Sequence, residues 1–104
     1  MTLFENTVQA FKHKDFDLLQ RIHREDFMFV RKFSISSREE HLANLKERLP
    51  TTSLHKRHQC VYEDDNMLAM RYPGIDENGV SYFTSNVSMK HEGLYWRTMV
   101  KKDE

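Results

Sequence analysis

The sequence predicts an α+β fold in which three helical segments come first and cover one face of a mainly antiparallel sheet. Three observations predict it. The second half, Leu54 to Lys101, reads as four consecutive strands rich in β-branched and aromatic residues and separated by polar turns. The first half holds helix starts of the capping-box type, Thr2 with Glu5 and the overlapping pairs Ser36/Glu39 and Ser37/Glu40. Between them, Phe27-Met28-Phe29-Val30-Arg31-Lys32-Phe33 reads as one short strand. The predicted order is helix, helix, strand, helix, then four strands.

Each element has its own signal. Leu3, Phe4, Val8 and Phe11 follow helical spacing, so the first helix spans about residues 3 to 13. Asp15 caps a second helix whose apolar face is Phe16, Leu19 and Ile22, and His23 falls near its end, where a cation is mildly favoured as a surface group. The third helix carries a seam of Leu42, Leu45 and Leu49 and stops at Pro50. Thr51-Thr52-Ser53 is the loop into the strands. Asp64-Asp65-Asn66 turns the first hairpin, Pro73-Gly74 ends the third strand, and Asp76-Glu77-Asn78-Gly79 precedes the fourth. Lys101-Lys102-Asp103-Glu104 reads as a frayed tail.

Turn chemistry sets the registers. With Glu92-Gly93 as a two-residue turn, Lys90 faces Tyr95, Met89 faces Trp96, Val87 faces Thr98 and Ser85 faces Val100. Alternation then collects Phe83, Ser85, Val87, Met89, Trp96, Thr98 and Val100 on one face, the expected core face. Tyr82, Thr84, Asn86, Ser88, Lys90, Tyr95 and Arg97 fall on the other. In the earlier hairpin, Asp65-Asn66 as the turn sets Tyr62 against Ala69, Val61 against Met70 and Cys60 against Arg71. Val61, Leu68, Met70 and Tyr72 share one face, and His58, Cys60, Tyr62, Met67, Ala69 and Arg71 the other. Both faces are mixed, and neither is assigned inward.

The totals bound the class. A chain of 104 residues is expected to form one domain, long enough to need no disulfide or metal staple. Its single cysteine, Cys60, cannot form an internal bridge, which suits the reducing cytosol. No signal peptide and no membrane span are expected, since no run approaches the roughly 20 apolar residues a span needs. Sixteen basic residues balance sixteen acidic ones, which argues against a general nucleic-acid binder. The one basic run, His55-Lys56-Arg57-His58, alternates faces if it lies on a strand. For the same reason the H-x-x-H of His55 and His58 is not expected to hold a metal. Cys60 reads as a small buried group rather than a nucleophile. The sequence carries no catalytic, metal or nucleotide motif of high specificity, and no cofactor is expected.

The order and its punctuation resemble the nuclear transport factor 2-like superfamily, which includes SnoaL-like proteins and ketosteroid isomerase. The resemblance rests on Arg24-Glu25-Asp26-Phe27-Met28-Phe29-Val30, Ser37-Arg38-Glu39-Glu40, Val61 through Arg71, and Glu92-Gly93-Leu94-Tyr95-Trp96-Arg97. It implies a curved sheet wrapped around helices as a cone-shaped roll, a pocket at its open end, and homodimers packed through the sheet. It does not fix an activity, because such folds host many functions.

Ketosteroid isomerase uses an aspartate base and an oxyanion hole of tyrosine and protonated aspartate. Counting by resemblance, the base position falls near Arg31 and the acidic donor near Ser85, while the first helix has no tyrosine. That chemistry is therefore not expected. Arg31 at a pocket mouth would favour an anionic ligand; on an edge strand it would point to water. His58, Tyr62 and Arg71 share one side of the second and third strands, and they are the candidate catalytic set if that side is concave. Phe83, Ser85, Val87, Met89 and Trp96, with Arg31, are the candidate ligand-binding set. Two readings stand: a dimeric module that binds a small apolar or anionic ligand or acts by association, and a small isomerase, dehydratase or cyclase acting on a hydrophobic substrate. Whether the protein is an enzyme is left open. They separate on whether His58, Tyr62 and Arg71 converge in a cavity of a few hundred Å3 or so. The dimer face is expected to hold Tyr82, Thr84, Asn86, Tyr95 and Arg97.

Overall fold

The computed structural model describes residues 1–52 and 54–103. Ser53 of the expected loop and Glu104 of the expected tail lie outside these. The elements run α1 (Leu3–Lys12), α2 (Phe16–Arg21), β1 (His23–Val30), β2 (Ile35–Ser37), α3 (Arg38–Arg48), a one-turn 3-10 helix (Leu54–Lys56), β3 (Gln59–Glu63), β4 (Met67–Ile75), β5 (Ser81–His91) and β6 (Leu94–Asp103). Among the described residues the strands form one curved six-stranded sheet in the order β2-β1-β6-β5-β4-β3. Only β1 and β6 run parallel; every other pairing is antiparallel.

The helices form where their caps place them. Thr2 accepts from the Glu5 amide and Glu5 returns to the Thr2 amide, closing the capping box of α1. Asp15 caps α2 through the Leu18 amide. Of the two overlapping boxes before α3, Ser37 with Glu40 is the one used. Leu42, Leu45 and Leu49 then point into the core with Leu3, Ala10, Phe11, Leu19, Phe27, Leu68 and Met70. No helix among the described residues is long and apolar enough to cross a membrane.

Both strands of the first half differ from expectation. The first strand starts at His23 rather than Phe27, directly after the single turn and a half of α2. The charged run Arg24-Glu25-Asp26 conceals it, yet Arg24 bridges Asp26 and Glu92 on the solvent side. The short strand β2 pairs Ile35, Ser36 and Ser37 with Val30, Phe29 and Met28. A strand of three residues leaves little pattern in sequence.

β4 runs through Pro73 and Gly74 instead of ending there. β3 pairs only with Leu68 to Arg71, so beyond Arg71 one edge of β4 is open and tolerates a residue without an N–H. A Cβ at Gly74 would lie 2.6 Å from Tyr82 Cζ on the neighbouring strand, so any larger residue there would displace the Tyr82 ring. β6 likewise continues through the residues expected to fray, pairing Lys101 with Ser85.

The Glu92-Gly93 turn forms as expected. Both residues have positive φ, 56° and 78°, and His91 pairs with Leu94 and Lys90 with Tyr95. The register then shifts by one. Trp96 is an extra residue on β6, so Met89 pairs with Arg97, Ser88 with Thr98 and Asn86 with Val100. This bulge reverses the expected face of β5. Thr84, Asn86, Ser88 and Lys90 turn inward beside Tyr95, Thr98 and Val100, and Phe83, Ser85, Val87 and Met89 turn outward. A second bulge, at Val61, keeps Tyr62 opposite Ala69 but sets Cys60 against Met70 rather than Arg71. Leu68, Met70 and Tyr72 are the inward face of β4.

Candidate functional site

The inward face of the sheet and the helices enclose a cavity of about 70 Å3. α1 contributes Thr7 and Phe11, α2 Leu19, α3 His41, Leu45 and Arg48, and β1 His23 and Phe29. β4 contributes Met70 and Tyr72, β5 Asn86 and Ser88, and β6 Tyr95 and Thr98; His58 enters from the loop before β3. Such a volume has room for roughly a few waters or a ligand of a handful of heavy atoms. It is well below the few hundred Å3 of a drug-sized site. Arg48 also lines an open surface depression of about 360 Å3 with Arg31, Asn44 and Glu47.

Three imidazoles dominate the cavity. His23 Nδ1 lies 2.6 Å from the Leu19 carbonyl oxygen, which can only accept, so Nδ1 carries the proton and Nε2 presents a lone pair. Its ring stacks on Tyr95 at 4.9 Å and meets Phe27 edge-on at 4.7 Å. His41 stacks on Phe29 at 4.4 Å and lies 5.4 Å from His23. His58 packs against Phe11 and edge-on to Tyr72, with ring centroids 5.6 and 5.3 Å away. Burial disfavours the charged form of each, pulling His23 to about 4, His41 to about 3 and His58 to about 4. The nearby cations Arg38, Arg48 and Arg31, and Arg57 push the same way at His23, His41 and His58 respectively. All three are neutral at physiological pH, so they offer hydrogen bonds rather than charge and are weak bases there.

The tyrosines are neutral too, because burial raises both phenols. Tyr95 is tied to Thr7 by a 2.7 Å hydrogen bond, and Ser88 to Thr98 by one of 2.8 Å. These pairs satisfy one part of the wall. Another part is not satisfied: His58 Nδ1 and Asn86 Oδ1 are buried and have no hydrogen-bond partner among the described residues. Polar atoms left so are uncommon, and each calls for an account.

The residues expected to form the site are largely elsewhere. His58 lines the cavity. Tyr62 is 52% exposed and donates to Asp64 at 2.9 Å on the far side of the sheet. Arg71 bonds Gln59 at 3.0 Å and lies 4.3 Å from the Phe83 ring, also outside. The expected set therefore does not converge. The bulge at Trp96 takes Phe83, Ser85, Val87 and Met89 to the outer face. Trp96 sits at the turn end of the sheet, under the Arg97 guanidinium at 4.4 Å and near His91. Arg31 lies over the Phe29 ring at 5.1 Å and on the surface depression. Of the expected dimer face, Tyr82, Thr84, Asn86 and Tyr95 point inward, and only Arg97 faces outward.

His41, Tyr72 and Asn86 were not expected at the site. For His41 a signal existed: His41, Leu45 and Leu49 follow helical spacing, which puts the histidine on the buried stripe of α3. For Asn86 there was none, because its direction depends on the bulge. His23 was expected on the surface, but it is buried because it opens β1. His55 and His58 do not lie on one strand, since His55 is in the 3-10 helix; the alternation argument does not apply to them. Among the described residues no group of three or more His, Cys, Asp or Glu side chains is arranged to hold a metal ion.

Neither a protein-family model nor a curated protein matches the chain. Solved structures do. A nuclear transport factor 2-like protein of unknown function from Cytophaga hutchinsonii matches at a TM-score of 0.69 and 17% identity, covering 97% of this chain and 87% of its own. One from Burkholderia xenovorans matches at 0.69 and 16%, covering 98% and 80%. AclR, a candidate hydroxylase from Streptomyces galilaeus, matches at 0.65 and 13%, covering 97% and 76%. At these identities the likeness carries fold and not activity. The helix order, the curved six-stranded sheet and these neighbours agree: the chain has the nuclear transport factor 2-like fold.

Proposed function

We propose that residues 1–104 act as one cone-shaped domain that binds a small, mainly apolar ligand in the cavity between helices and sheet. The observation that carries this reading is the pair of polar atoms, His58 Nδ1 and Asn86 Oδ1, that find no partner among the described residues, in a cavity whose apolar part is Phe11, Leu19, Phe29, Leu45 and Met70. Apolar walls with a few convergent polar groups are the usual form of a ligand site. Arg48 and Arg31 flank the surface depression, and no ion pair among the described residues involves either. An anionic end of the ligand would rest there. Tyr62 and Arg71 point away from His58, which weighs against an isomerase, dehydratase or cyclase built on those three residues. The test is a thermal-shift and NMR screen of small alcohols, amides and carboxylates. A ligand raises the melting temperature by mass action and shifts cavity resonances in wild type. No shift from any compound, with the fold intact, would move the function to association with other proteins.

The module is proposed to work as a homodimer in the cytosol, with the outer sheet face as its interface. Phe83, Met89 and Met99 are 37, 46 and 49% exposed there, next to Val87 and Arg97. Exposed aromatic, methionine and arginine residues on one face are a composition enriched at interfaces. The exposed thiol of Cys60 suits a reducing compartment.

A further inference from the structure

We propose that the wall formed by His58 and Asn86 selects an uncharged ligand group that carries both a hydrogen-bond donor and an acceptor, such as a primary amide or an alcohol. This rests on reading the cavity as a ligand site. His58, Tyr72 and Asn86 line the same cavity. The His58 ring meets Tyr72 edge-on at 5.3 Å, and Tyr72 pairs across strands with Thr84, two residues before Asn86 on the same face.

The chemistry of the two orphaned atoms defines the complement. An amide carbonyl oxygen only accepts, so Asn86 Oδ1 calls for a donor on the ligand. A neutral imidazole nitrogen donates or accepts according to its tautomer, so His58 Nδ1 adapts to the second ligand atom. Charge has no counterpart at this wall. With its imidazoles neutral, the cavity lining among the described residues holds one formally charged side chain, Arg48. An ammonium set between His58 and Asn86 would lose its water without gaining an ion partner, and a carboxylate, although Arg48 lines the same cavity, has no hydrogen to donate to Asn86 Oδ1.

Four probes of one shape separate the possibilities: isobutyramide, isobutanol, isobutyrate and isobutylammonium, titrated by NMR at pH 7.5 into wild type, Asn86→Leu and Asn86→Thr. Xenon serves as a fifth probe that reads cavity access without polar recognition. Isobutyramide and isobutanol are expected to bind at least about tenfold more tightly than the two ions, and to lose about tenfold in Asn86→Leu, the scale of one buried hydrogen bond. Xenon is expected to perturb cavity resonances equally in wild type and variant. Ions that bind as tightly as the neutral probes, or neutral probes indifferent to Asn86→Leu, would overturn the selectivity. Xenon binding with no polar preference would sink this inference and leave the ligand site standing. No perturbation by xenon or any probe would sink the ligand site itself. Should Asn86→Leu fail to fold, Asn86→Thr and the ranking of the four probes on wild type decide the question.

Discussion

Mild acid is expected to destabilise this protein at a pH where its carboxylates are still ionised. The perturbation is a change from pH 7.5 to pH 5.5. His23, His41 and His58 are held at about 4, 3 and 4 by burial, against an ordinary imidazole value near 6.5 in the unfolded chain. Between those values the unfolded state binds protons that the folded state refuses. Stability is therefore complete above about 6.5 and falls as the pH drops towards the folded values. At pH 5.5 each imidazole costs on the order of 1 kcal/mol, and the three together a few kcal/mol, by the linkage relation. That is a large share of the roughly 5–15 kcal/mol that holds a domain together. Carboxyls held low by their hydrogen bonds, such as those of Asp26 and Asp64, act in a lower window, below their unfolded values near 4. Urea midpoints measured across this pH range, at constant denaturant slope, give the loss directly. His41→Phe, which can keep the stack on Phe29, should remove about a third of it. A stability that changes by less than about 1 kcal/mol between the two pH values would refute the reasoning, as would an unchanged pH slope in His41→Phe.

The remaining predictions concern packing and assembly. Lys90 and Glu63 form a 2.7 Å ion pair with side chains only 9 and 12% exposed, and Glu63 also accepts from the Leu3 amide at the start of α1. Lys90→Met should cost about 3 kcal/mol in urea unfolding, because it leaves a buried carboxylate unpaired, and adding Glu63→Leu should recover much of that loss. Ser88 is fully buried and bonded to Thr98, so Ser88→Ala should cost about 1–3 kcal/mol, and adding Thr98→Val should restore part of it. Met99→Glu on the outer face should convert a dimer to monomers in light scattering while leaving the melting temperature of the monomer within a few degrees. A wild type that is monomeric at micromolar concentration would end the dimer proposal.

Much of the fold was legible because local chemistry dictates it. Thr2, Asp15 and Ser37 each supply the oxygen that a helix start needs, and Gly93 supplies the positive φ of the last turn. The site was far less legible. Its residues depend on which face of β5 points inward, and that depends on one extra residue, Trp96, opposite no partner. A bulge has no compulsory residue type, so the uniform pairing expected from the turn was wrong from Met89 onwards. The expected inner set was also the more apolar one. Thr84, Asn86 and Ser88 are inside because a wall that carries hydrogen bonds to Thr98 and polar atoms towards a cavity can use them. His58 lines the cavity, whereas Tyr62 and Arg71, which share its side in a uniform register, lie outside it. His23 was hidden by the charged run that follows it in β1.

The central claim is that a ligand enters between the helices and the inward face of β4 and β5. The most direct test is an amide and side-chain NMR titration of the wild-type protein with isobutyramide at pH 7.5. The account predicts that Asn86, His58, Tyr72, Met70 and Ser88 move together and saturate with one dissociation constant. Perturbations confined to Phe83, Val87, Met89 and Met99 on the outer face, or no saturable change at all, would contradict it.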